Sequence, residues 1–210
     1  MDGDIPPIDV RLLRKEDAVA LHKLDYSFET DRIYTLCVQG RLVQEPSNGG
    51  SSGGTSMGVG DKPVLAFELR ETLVDPPIYK GYISFENTLE DVEASICDAQ
   101  GGYVALAGGE VAGAVFLNVE EWRSVAHIEH IVVGHQFRRY GIGSLLLSCA
   151  CDWARNRGCW AIQLETQNVN YPAIQFYLRN GLEVWSINQH FYPPGPVEHE
   201  IAIFMGKRLK

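Results

Sequence analysis

The 210-residue chain carries 27 acidic against 18 basic side chains, a formal net charge of −9, and is 45% hydrophobic. That length suffices for one mid-sized domain with a proper core, and the acidic balance argues against a general nucleic-acid binder, because phosphate backbones need a basic face. No run approaches the roughly 20 apolar residues of a membrane helix, and the acidic, Pro-rich start Met1-Asp2-Gly3-Asp4-Ile5-Pro6-Pro7 lacks a signal-peptide pattern; a cytoplasmic protein with no membrane or nucleic-acid partner is expected.

In chain order, Ile8–Leu13 reads as a short strand and Lys15–Lys23 as a helix. Arg32–Leu42 and Pro63–Leu73 both look extended, and Leu65, Phe67 and Leu69 alternate with polar or small residues. Between them the Gly/Ser-rich stretch 45–62 cannot bury apolar surface and is expected as a mobile loop. It is read as the overgrown tip of a hairpin, which keeps 1–210 as a single domain. Thr88–Asp98 has Leu89, Val92 and Ile96 on one helical face. Gly102–Leu106 and Glu110–Val119 are strands joined by the turn Ala107-Gly108-Gly109. Val125–Val133 is a strand, and a helix follows over Gly141–Arg157, stopped by Gly158. Trp160–Thr166 is a strand. Asn170–Leu178 is a helix with Pro172 in its first turn and Gly181 past its end. Leu182–Asn188 and Glu198–Leu209 complete a mixed α/β sheet.

Cys37, Cys97, Cys149, Cys151 and Cys159 are odd in number and contain no C-x-x-C, so reduced thiols serving mostly as core filler are expected. Glu198-His199-Glu200 reads as an exposed edge; without H-E-x-x-H no metal is expected. Tyr192-Pro193-Pro194-Gly195-Pro196 reads as a rigid loop between the last strands.

The most informative stretch runs from Ile128 to Leu145: strand, loop, glycine pair, amphipathic helix. Ile142, Leu145, Leu146, Cys149 and Trp153 are expected to share the face packed on the sheet. The helix start has unpaired N–H groups and partial positive charge, both of which favour a phosphate. Gly141 and Gly143 lack a Cβ, so a ligand can come close to the backbone. Arg138 and Arg139 add charge, and either can reach a phosphate. The bland alternative is a turn whose glycines only tighten the chain. A Rossmann loop lacks its third glycine here, and a P-loop lacks its Gly-Lys-Ser/Thr.

Arg138-x-x-Gly141-x-Gly143 after a strand resembles the Q/R-x-x-G-x-G/A signature of the GNAT superfamily of N-acetyltransferases. Asn170-x-x-Ala173-x-x-Phe176-Tyr177-x-x-x-Gly181-Leu182 resembles that superfamily's second motif, with Leu182 where Phe is usual. The stretch from Ile128 to about Ile187 is similar to streptothricin acetyltransferases, sharing the I-E-x-I-x-V strand, the F-R-x-x-G-I-G-S loop and the L-E-T-Q-x-x-N segment. The resemblance covers roughly a third of the chain. It implies a mostly antiparallel central sheet flanked by helices, with a splayed strand pair that takes CoA. It further implies acetyl-CoA as co-substrate, held by Ile131, Val132, Val133, Arg138, Arg139, Tyr140, Gly141, Ile142, Gly143, Ser144, Asn170 and Ala173.

Amine acetylation needs a deprotonated acceptor, a polarised thioester carbonyl and a stabilised thiolate leaving group. By resemblance Tyr177 stands where the family's tyrosine hydroxyl meets the CoA sulfur; a phenol is protonated at neutral pH. The alternative is a core tyrosine beside Phe176. Asn170 can bond pantetheine, cap its helix, or do both. Glu129 occupies the position of a family acid, and alternation places Glu129, Ile131, Val133 and His127 on one strand face. Glu129 or His127 can relay a proton, directly or through water, or Glu129 can hold the substrate ammonium. The resemblance also implies that water serves as base in many members. Main-chain groups of Ile131 and Val133 are implied to bond pantetheine. By resemblance, Asp25, Phe28, Glu29, Asp31 and Tyr34 stand in a region that often lines the acceptor pocket, a solvated loop being the alternative, and the loop Tyr192-Pro193-Pro194-Gly195-Pro196 can border the acceptor cleft. The expected partner is a small cationic amine, with a streptothricin-like antibiotic as the specific choice. A protein-amine acetyltransferase and a non-catalytic CoA-binding module are the competing readings. A homodimer is left open.

Overall fold

The computed structural model describes residues 6–40, 65–81 and 88–209. The Gly/Ser-rich stretch 45–62 lies outside them. Seven strands form one sheet in the order β1-β4-β5-β6-β7-β9-β8: β1 Ile8–Leu12, β4 Gly101–Ala107, β5 Glu110–Glu120, β6 Val125–Val133, β7 Ala161–Gln167, β8 Glu183–Asn188 and β9 Ala202–Arg208. Every neighbouring pair is antiparallel except β6–β7, which is parallel. β2 (Phe28–Gly40) and β3 (Leu65–Lys80) make a separate antiparallel pair, as the two extended segments required. The helices are α1 Ala18–His22, α2 Leu89–Asp98, α3 Ile142–Asn156 and α4 Tyr171–Arg179. The mixed, mostly antiparallel sheet flanked by helices is the expected architecture.

Local chemistry sets these elements. Gly108 (φ 59°) and Gly109 (φ 89°) turn β4 into β5 with two left-handed residues, a conformation glycine adopts without strain. Thr88 caps α2 by accepting from the Asp91 N–H, and Asp91 bonds back to Thr88. Asn170 caps α4 through a 3.4 Å bond from the Ala173 N–H. Lys15–Asp17 forms a 3₁₀ turn ahead of α1 rather than helix throughout. There Asp17 accepts two bonds from Arg11 and one from the Arg14 N–H.

The core divides across the sheet. Ala126, Ile128, Ile162 and Leu164 pack with α3 and α4 on one face, while Ala114 and Phe116 pack with α1 and α2 on the other. The buried face of α3 is Ile142, Leu146, Leu147, Ala150, Cys151, Trp153 and Ala154. Leu145, expected inward, is 40% exposed. The small Ala150 and Ala154 lie inward instead, so the helix is rotated from the position that the large residues suggest. Two further expectations are corrected. Only Cys151 and Cys159 of the five free thiols are buried, so most are not core filler. Glu200 is buried rather than on an exposed edge, because it pairs with Lys80 at the end of β3.

Candidate active site

The decisive feature is a gap in the sheet. β6 and β7 pair only from Val125↔Ala161 to His127↔Gln163, although both strands run on to Val133 and Gln167. The separation begins at an irregularity in the β5–β6 ladder: Leu117 faces Ile128 and Phe116 faces His130, leaving Glu129 as an extra residue. Such a bulge bends and twists its strand, which turns the end of β6 away from β7.

The bulge also overturns the expected alternation. Ile131 and Val133 pack with the α3 side of the core, as Ile128 does, while Val132 packs with the other side. His127 and Glu129 are on the opposite face from Ile131 and Val133. There the His127 Nδ1 and Glu129 Oε1 are 3.0 Å apart, and Asn118 Nδ2 donates to the same oxygen at 3.3 Å. The bond to His127 holds the Glu129 carboxyl below its ordinary value, with Asn118 helping and partial burial opposing.

Beside the gap lies a cavity of about 1030 Å³. Ile131, Val132, Val133, Arg138, Arg139, Gly141, Ile142, Gly143, Ser144, Asn170, Ala173 and Tyr177 line it. Tyr140 is 42% exposed and does not line it, nor do Glu129 and His127. Phe28, Glu29 and Asp31 line it, together with Thr30, Pro77 and Arg179, for which the sequence offered no signal. Tyr34 instead accepts from Gln175 on α4, at 2.8 Å, and Asp25 accepts from the Ser27 N–H.

α3 starts without a side-chain cap, at Gly141 with φ 79°, so its first N–H groups are available to an anion. Arg139 also sits at positive φ, 73°, a conformation costly for a side-chain-bearing residue and characteristic of ligand loops. The two glycines differ in purpose. A Cβ on Gly141 would meet nothing within 4 Å, so the left-handed backbone is what requires glycine there. A Cβ on Gly143 would stand 3.1 Å from the Phe176 ring, so that glycine lets α3 approach α4. The two arginines differ as well. Arg138 donates to the carbonyls of Ser27 (2.7 Å) and Val133 (3.3 Å), bracing the loop; Arg139 is exposed at the cavity edge.

Tyr177 is buried on α4, edge to face with Phe176. Burial, with the nearby Glu165 carboxylate, pushes its hydroxyl well above the ordinary phenol value, so it keeps its proton at neutral pH. Glu165 itself, on β7, accepts from the Tyr192 hydroxyl. The sequence carried one overlooked signal for it: a carboxylate between Leu164 and Thr166 in a strand that is otherwise nearly all buried. Among the described residues no His, Cys, Asp and Glu side chains gather as a metal site would require, and no helix is long and apolar enough to cross a membrane.

Known proteins resemble this chain in sequence and fold. A model of the acetyltransferase (GNAT) family matches residues 68–182. A streptothricin acetyltransferase of Streptomyces lavendulae is 29% identical over 199 residues, 94% of this chain and 93% of that protein. The crystal structure of a nourseothricin acetyltransferase superposes with a TM-score of 0.73 at 27% identity, covering 97% of this chain and 99% of that one. A putative streptothricin acetyltransferase from Bacillus anthracis, crystallised in complex with acetyl coenzyme A, superposes at 0.70 with 25% identity, covering 96% and 98%. The splayed strands, the uncapped α3 and the family match over more than half of the chain agree: this protein belongs to the GNAT family of acetyltransferases and is an acyltransferase.

Proposed function

We propose that this acyltransferase moves the acetyl group of acetyl-CoA to a primary amine of a small cationic molecule, a streptothricin-like antibiotic being the specific choice. The observation that carries the reading is the gap between β6 and β7. It has a buried hydroxyl, Tyr177, on one side and a paired carboxylate and imidazole, Glu129 and His127, on the other. The pyrophosphate of the co-substrate fits the N-terminus of α3, with Arg139 at its side, and the pantetheine arm fits the edge of β6 at Ile131 and Val133. The cavity is large enough for a ligand of this size. The bound co-substrate supplies an activated thioester carbonyl. Backbone N–H groups along the β6 edge polarise that carbonyl. Glu129, with His127 behind it, holds the acceptor and receives its proton directly or through water. The amine nitrogen then forms the new C–N bond, the C–S bond breaks, and Tyr177 donates its proton to the leaving thiolate.

The test is thiol release from acetyl-CoA across streptothricin, aminoglycosides, polyamines and peptides. Fast turnover with a cationic small molecule is expected. Turnover with peptides alone would transfer the activity to protein amines. Tight acetyl-CoA binding with no turnover on any acceptor would make the chain a binding module.

A further inference from the structure

A second carboxylate stands beside the gap, on the face away from α3 and α4. Glu165 lies two residues past the last β6–β7 pair. Ile162 and Leu164 point into the α3 side of the core, so the alternate residues Gln163 and Glu165 point the other way, toward the face that carries His127. Tyr192, from the loop between β8 and β9, holds Glu165 by its hydroxyl. Burial raises the Glu165 carboxyl; Tyr192 and His127 oppose the rise, and Glu200 adds to it. Glu165 in turn raises Tyr177. This one carboxylate therefore interacts with both halves of the site, the hydroxyl lining the cofactor cavity and the imidazole bonded to Glu129. Glu200, 3% exposed and paired with Lys80, has an Oε2 with no hydrogen-bond partner among the described residues. Lys80 is thus taken up by Glu200. Of the titratable groups that face Glu165, namely Tyr192, Glu200, His127 and Tyr177, only His127 can carry positive charge. Buried carboxylates are costly unless a cation pairs with them.

We propose that Glu165, oriented by Tyr192, is a specificity-determining residue that binds the ammonium of the cationic acceptor at the gap between β6 and β7. The proposal rests on reading the site as an amine acetyltransferase. It makes the negative potential of Glu165 and Glu200 the reason a cationic acceptor is preferred over a neutral amine, and it makes the β8–β9 loop part of the acceptor site.

Glu165→Gln keeps the shape of the side chain and can still accept from Tyr192. With streptothricin as acceptor, its KM is expected to rise about 10-fold or more, the scale of one charge-assisted bond, while kcat stays within about 3-fold. Calorimetric affinity for acetyl-CoA should not change, which separates this role from a folding defect. Tyr192→Phe removes a donor that favours the ionised Glu165, so the acid limb of kcat/KM should move to higher pH; in Glu165→Gln the limb should fall back to lower pH, where Glu129 alone sets it. An unchanged acceptor KM in Glu165→Gln, or a fall in kcat alone, overturns the proposal. If the wild type leaves streptothricin untouched, the function reading fails but calorimetry with spermidine still decides this one. Binding weakened about 10-fold or more by Glu165→Gln supports it; equal binding, or none to the wild type, overturns it.

Discussion

The two faces of the central sheet solve different problems. The face covered by α3 and α4 offers the proposed co-substrate site its backbone: an uncapped helix start, two left-handed residues at Arg139 and Gly141, and the unpaired end of β6. The opposite face offers side chains drawn from separate parts of the chain, with His127 and Glu129 on β6, Glu165 on β7 and Tyr192 on a loop. Backbone recognition tolerates side-chain change and suits a constant cofactor. Recognition by carboxylates depends on each residue and suits a particular acceptor. The bulge at Glu129 joins the two, since one inserted residue both opens the strand gap and sends Glu129 and Ile131 to opposite faces.

Tyr177 is where the comparison is most easily broken, because it lines the cavity on the α4 side and is the proposed proton donor. Tyr177→Phe keeps the ring packed against Phe176 and removes the proton donor. Turnover is expected to fall about 10²-fold or more, the range of general acid catalysis, with acetyl-CoA affinity nearly kept. Single-turnover thiol release checks this; unchanged turnover would make Tyr177 a core residue and leave leaving-group protonation to water.

The backbone of the α3 and α4 side was largely legible in the sequence, and the reason is locality. The strand, glycine loop, helix start and N-cap occupy contiguous stretches, and each is fixed by the conformational needs of a few neighbouring residues: glycine where φ is positive at 141, asparagine where α4 needs a cap at 170. What escaped was non-local. Lys80 and Glu200 meet across 120 positions and Tyr192 and Glu165 across 27, and no periodicity reports such a meeting. The bulge escaped because strict alternation has no place for an extra residue, so Glu129 and Ile131 were put on one face. The rotation of α3 escaped because Leu145 outweighs Ala150 in a hydrophobic pattern, although the alanine is what lets the helix lie close to the sheet.

Arg138 sharpens the comparison at a smaller scale. Its motif position suggested a phosphate ligand, yet its guanidinium braces the carbonyls of Ser27 and Val133. Arg138→Met leaves both acceptors without that donor, at an expected cost of about 1–3 kcal/mol in unfolding free energy. The KM for acetyl-CoA should rise through loss of loop geometry. Arg139→Met should raise that KM with stability kept and with a weaker dependence on salt, as an exposed charge requires. Denaturant unfolding paired with acetyl-CoA kinetics separates them. If Arg138→Met kept full stability and lost only affinity, Arg138 would be a phosphate ligand after all.

The smallest effect concerns stability on the acceptor face, where function and folding should oppose each other. Glu165 holds its proton more tightly in the folded chain, mainly because it is buried, than in the unfolded chain, where glutamate titrates near 4.3. An acid whose folded value is raised favours the neutral form in the fold. Stability therefore falls as pH climbs through the unfolded value and levels off above the folded one. Glu165→Gln is neutral throughout and escapes that loss. Its melting temperature should match the wild type near pH 4 and exceed it by a few degrees near pH 8, on the scale of about 2–4 °C per kcal/mol for a chain of this size. Thermal melts at the two pH values decide the point. A variant less stable than the wild type at pH 8 would mean that Tyr192 and His127 already satisfy the ionised carboxylate. The site would then have no charge deficit left for a cationic acceptor to fill.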